Sequence, residues 1–81
     1  MRVTVRLFAQ LRDVTGHAAW DAEVPAGASV GDVWRAFALH HPAIAPFERA
    51  VSCAVNANFA RMTHPVQDGD EIAFLPPVSG G

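Results

Sequence analysis

SVGDVWRAFALHHP, residues 29–42, is the one stretch of this chain that keeps a helical apolar period over several turns, and its reading decides how the rest must pack. Val30, Val33, Trp34, Phe37 and His41 follow the i, i+3, i+4, i+7 pattern of a single helix face. Ser29 stands where an N-cap belongs, and Asp32, three residues on, completes a capping box. Pro42 lacks the N–H that would continue the ladder and biases His41 away from helical geometry, so the spacing predicts a helix from about residue 30 to about 40.

On either side of this helix the period changes to two. Val3, Val5 and Leu7 alternate with Thr4 and Arg6 over residues 2–9, and Ala18, Trp20, Ala22 and Val24 alternate with Ala19, Asp21 and Glu23. Asp13 to Gly16 between them suits a turn, so a first β-hairpin is expected. After an irregular or short helical connection over 43–49, which brings Ile44 and Phe47 to the core, strands are expected at Val51 to Val55, around Phe59 to Met62, and at Ile72 to Leu75. Asn56-Ala57 and Asp68-Gly69 are the turn signals.

One helix can cover only one face of a sheet. The order strand, strand, helix, strand, strand, strand is therefore an α+β, β-grasp arrangement: a mixed sheet of about five strands packed by one main helix. The first and last strands lie side by side at its centre. Residues 1–75 form the domain, and residues 76–81, FLPPVSGG after its first two residues, form a flexible C-terminal tail leaving a central strand.

Composition narrows function. The chain has 81 residues, 51% hydrophobic and 17% charged, which suits one domain whose thin core is a poor host for a deep catalytic pocket. The net charge is −2 and all six basic residues are arginines, so no nucleic-acid face is expected. One cysteine, Cys53, excludes an intramolecular disulfide, the start MRVTVRLFAQL lacks a signal peptide's apolar core, and no apolar run reaches the roughly 18 residues of a membrane helix. A cytoplasmic protein is expected.

Metal binding is not. His40 and His41 are adjacent and point about 100° apart on a helix, while His17 and His64 fall in turns, and zinc usually takes three or four protein ligands. Cys53 alternates with Val51 and Val55 as a buried small side chain, and Asp68-Gly69-Asp70-Glu71 lacks a calcium loop's spacing.

Three apolar residues fall on the uncovered face when strand phase is followed. Phe8 shares it with Thr4 and Arg6, Leu75 with Glu71 and Ala73, and Phe59 with Ala57 and Arg61. Contiguous exposed apolar patches mark protein interfaces. The tail adds chemistry of its own. An α-carboxylate with a pKa near 3.5 is an anion and a poor electrophile until activated, most simply by attack on the α-phosphate of ATP to give an acyl adenylate. Gly80 and Gly81, without Cβ atoms, thread a narrow channel, and Pro76 to Gly81 in polyproline geometry, at about 3.1 Å per residue, reach on the order of 19 Å.

RLFAQLRDVTG, VNANF, HPVQDGDEIAFLPPVSGG and the single capped helix together resemble the MoaD/ThiS family of ubiquitin-like sulfur carriers, most nearly its molybdopterin synthase small-subunit branch. The resemblance implies that Gly81 is adenylated and thiocarboxylated and then donates sulfur to cyclic pyranopterin monophosphate in molybdenum cofactor biosynthesis. It implies that Pro76, Pro77, Val78, Ser79 and Gly80 thread the tail, and that Phe8, Phe59 and Leu75 meet partner subunits, with Arg12 as a further polar contact. The implied partners are a large synthase subunit (MoaE-like), an E1-like adenylating enzyme (MoeB-like) that uses ATP, and a sulfurtransferase as sulfur source. No cofactor is bound by the chain itself, and it brings no catalytic side chains. Thiamine thiazole synthesis and ubiquitin-like protein modification are the alternative roles. Gly31, in the helix's first turn, and Ala57, in a tight turn, depart from the family pattern.

Overall fold

The computed structural model describes residues 1–77. Its elements are β1 (Arg2–Leu7), α1 (Ala9–Thr15), β2 (Ala19–Glu23), α2 (Val30–His40), a 3-10 helix (Pro42–Phe47), β3 (Ser52–Val55), β4 (Asn58–Ala60) and β5 (Glu71–Leu75). The five strands form one sheet in the order β2-β1-β5-β3-β4. β1 runs parallel to β5, and the other neighbours are antiparallel. This is the β-grasp fold, with the first and last strands paired at the centre.

α2 forms where the sequence places it. The Ser29 hydroxyl accepts from the Asp32 N–H at 3.2 Å and the Asp32 carboxylate accepts from the Ser29 N–H at 3.0 Å, which satisfies two orphan donors reciprocally. The backbone bonds pull the Asp32 carboxyl below its ordinary value, the hydroxyl adds to that, and Arg35 contributes least. The face Val30, Val33, Trp34 and Phe37 is fully buried against Val3, Val5, Leu7, Ile72 and Phe74 of the two central strands. Burying a side chain such as Phe37 or Phe74 contributes roughly 1.5–3 kcal/mol.

Two expectations need correction. The β1–β2 hairpin forms as expected, with Arg2–Arg6 antiparallel to Ala19–Glu23, but its link is not a simple turn: Leu7 ends the strand and a second, short helix, α1, occupies the connection. α1 is seven residues long and buries one side chain, Leu11, which leaves no periodic signal to read. It stops at Gly16, whose φ of 76° gives the left-handed C-cap. The fourth strand is also shorter and earlier than expected. The Asn56-Ala57 turn is so tight, with φ of 50° and 71°, that Asn58 already pairs with Val55.

Gly31 has a packing reason. Its N–H donates to the Met62 carbonyl at 2.7 Å, and an added Cβ would sit 3.1 Å from that same oxygen. The residue trades helix propensity for a close approach between α2 and the chain after β4.

Candidate functional site at the root of the tail

β5 has a hydrogen-bonded neighbour on each side, which fixes its position better than any edge strand could be fixed. Phe74 points into the core with no exposed surface and meets Trp34 of α2 edge-on, ring centroids 4.9 Å apart. Leu75, one residue on, turns to the opposite face, as the strand's period requires, and is half-buried opposite Ser52 of β3. Pro76 is half-buried and Pro77 exposed, both beyond the last strand pair. The tail residues Val78, Ser79, Gly80 and Gly81 lie outside the described residues.

Phe8 is placed beside this root by register. Leu7 pairs with Phe74 in the parallel ladder, so the next residue of each strand, Phe8 and Leu75, leaves the sheet at the same end. Phe8 keeps extended geometry (φ −126°, ψ 153°) as the residue before α1 and is 40% exposed. Arg12 lies on the exposed side of α1, and among the described residues its side chain makes no ion pair.

Phe59 is farther along the same open face. It pairs across β4 and β3 with Ala54, which pairs with Ala73 of β5, which pairs with Arg6 of β1. This row reads Phe59, Ala54, Ala73, Arg6, so small residues leave a shallow floor beside an aromatic ring that is 84% exposed. Leu75 projects from the same face of β5, two residues beyond Ala73.

Strand phase alone did not show that the open face is divided. Over β2 and β1 it is polar: Arg2 pairs with Glu23 at 3.2 Å, the Thr4 hydroxyl donates to Asp21 at 3.2 Å, and Arg6 lies 3.6 Å from Glu71. Beyond Glu71 and Ser52, the face over β5, β3 and β4 presents apolar side chains: Ala73, Leu75, Ala54 and Phe59. The cross-strand pairing that creates the border joins residues far apart in sequence, and only the sheet order reveals it.

The remaining reactive groups are away from this surface. Cys53 is buried on the core face of β3, where burial pushes its thiol up. His41 leaves α2 at its C-cap and stacks edge-on with His17, ring centroids 5.0 Å apart, a pairing that neither residue's local sequence announces. Among the described residues no three His, Cys, Asp or Glu side chains are arranged to hold a metal ion, and no helix is long and apolar enough to cross a membrane.

Comparison with known proteins agrees with this architecture along the whole chain. The ThiS family model matches residues 5–81. The chain is 37% identical over 88 residues to the molybdopterin synthase sulfur carrier subunit of Escherichia coli, covering 98% of this chain and 99% of that protein. It is 32% identical to the subunit of the same name from Chlamydomonas reinhardtii, with both chains covered in full. Among solved structures, SAMP1 from Haloferax volcanii superposes with a TM-score of 0.87 at 31% identity, again over 100% of both chains.

Proposed function

The chain belongs to the ThiS family, and from that premise we propose that it is the sulfur-carrier subunit of a molybdopterin synthase. The observation that carries the proposal is the root of the tail. A terminal Gly-Gly follows a central strand locked by Phe74, with Leu75 and Phe8 at its exit on an open face. The relatives named as molybdopterin synthase sulfur carrier subunits support the same role.

The proposed chemistry belongs to the tail, and the domain positions it. The Gly81 carboxylate oxygen attacks the α-phosphorus of ATP on an E1-like adenylating enzyme, and pyrophosphate leaves. The persulfide sulfur carried by a sulfurtransferase then attacks the acyl carbon and AMP departs, and a thiol cleaves the resulting acyl disulfide, leaving a thiocarboxylate on Gly81 and a disulfide on the donor. The apolar half of the sheet docks on the large synthase subunit while the polar half stays in water. Pro76 and Pro77 limit the entropy lost when the tail is ordered in the partner's site, and Gly80 and Gly81 present no side chain to a narrow passage. ATP is consumed by the activating enzyme, and the carrier holds no cofactor of its own.

Intact mass spectrometry tests this. After incubation with ATP, an active cognate adenylating enzyme and a sulfur donor, one oxygen at Gly81 should be exchanged for sulfur, and the charged chain should convert the pterin precursor when the large subunit is added. An unchanged mass would end the proposal. The likeness to SAMP1, a small archaeal modifier protein, favours protein conjugation as a second reading. Higher-mass conjugates that disappear on deletion of Gly81 would support it.

A further inference from the structure

We propose that this chain, once its terminal carboxyl is activated, is an acyl donor that is a poor acceptor for itself, so that the amides it forms predominantly join a single copy to an amine on a different molecule. The inference rests on the activated tail proposed above. An activated acyl group is consumed by amines or thiolates. In the amine reaction a C–N bond forms, the C–O bond to AMP breaks, AMP leaves, and the ammonium proton passes to solvent.

The sequence supplies almost none of these nucleophiles. All six basic side chains are arginines, whose delocalised guanidinium stays protonated and does not attack acyl carbons. The single cysteine is 4% exposed on the core side of β3, with its sulfur 3.8 Å from that of Met62. Burial also disfavours the thiolate, which is the reactive form.

One amine remains, and the sheet holds it. The Met1 ammonium donates to the Val24 carbonyl at 2.7 Å and lies 3.6 Å from the Glu23 carboxylate, with its side chain 12% exposed. The Met1 carbonyl in turn accepts from the Val24 N–H at 2.8 Å. Attack by this nitrogen requires the end of the β1–β2 ladder to open. Activated copies can therefore meet at high concentration while linking into chains or closing on themselves only slowly.

The test uses the 81-residue chain carrying a Gly81 thioester released by a small thiol from a self-cleaving fusion, so its outcome does not depend on any activating enzyme. The thioester is incubated at mildly alkaline pH with Nα-acetyl-lysine at equal concentration and followed by intact mass and denaturing gel. The acetyl-lysine amide and the hydrolysed acid should dominate, with chain-to-chain and cyclised products at least about tenfold lower, since Met1 must first lose a charged hydrogen bond. Arg61→Lys, an exposed site, should raise the chain-to-chain product to the level of the acetyl-lysine adduct. Wild-type dimers or circles as abundant as that adduct and mapping to Met1 would overturn the proposal. So would an Arg61→Lys thioester that stayed monomeric, because lysine content would then not be what decides.

Discussion

Phe74 packs edge-on against Trp34, ring centroids 4.9 Å apart and planes at 71°, one residue before the sheet gives way to the tail. The contact ties the last strand to α2, so the domain's anchor and the reactive arm's origin are adjacent in sequence. Phe74→Ala should cost about 3–5 kcal/mol, a large share of a small domain's stability, and urea melts would measure it. A loss below about 1 kcal/mol would show that the core closes around the gap and that the anchor is not Phe74.

The arm itself should contribute nothing to stability. Among the described residues the last buried core residue is Phe74, so deleting Gly81 should leave the thermal midpoint unchanged while abolishing sulfur transfer. A lowered midpoint in that variant would place the terminal glycine in the fold.

Phe59 and Phe74 should behave as opposites. Phe59 is 84% exposed and pairs only with small Ala54, so Phe59→Ser should leave folding within about 0.5 kcal/mol of wild type. If the apolar half of the sheet is the docking surface, the same change should weaken binding to the large subunit by about 2 kcal/mol, roughly thirtyfold, in a titration. Equal affinity for both forms would move the interface elsewhere.

How far these residues could be read from sequence depended on the kind of signal. Ser29, Asp32 and the Val30 to Phe37 face were legible because caps and helical periods are local, and Phe74 and Leu75 were separated by strand period alone. α1 was not legible. With one buried residue in seven it offers no period, and its polar run Arg12-Asp13 reads equally well as a turn. The divided open face was hidden for another reason: Arg6 meets Glu71, and Ala54 meets Ala73, only after strands far apart in sequence pair.

Gly31 and Ala57 both looked like departures from good local chemistry, and the structure separates them. Ala57 holds φ 71° in a two-residue turn where glycine fits without strain, so Ala57→Gly should raise stability by about 0.5–1 kcal/mol. Gly31→Ala should lower stability by about 1 kcal/mol despite alanine's better helix propensity, because its Cβ would meet the Met62 carbonyl at 3.1 Å. Calorimetry on the two variants should give midpoint shifts of opposite sign, and shifts of the same sign would refute one of the two assignments.

Acidification should weaken the fold in two separable steps. Burial first, then the charges of His17 and His40, hold the His41 imidazole below its ordinary value of 6.5. The unfolded chain then takes up the proton more readily, so the stability linked to His41 is complete above pH 6.5 and declines as pH falls below it toward the folded-state value. His41→Gln should flatten the midpoint-against-pH curve in that range. Asp32 acts at lower pH. Its carboxylate is favoured by the Ser29 N–H and hydroxyl, so the capping box contributes above the ordinary value of 3.8 and is lost as pH drops through the folded-state value beneath it. Ser29→Ala should cost about 1 kcal/mol at neutral pH and shrink this second step, leaving the first intact. A single acid transition unaffected by either substitution would mean that neither group controls it.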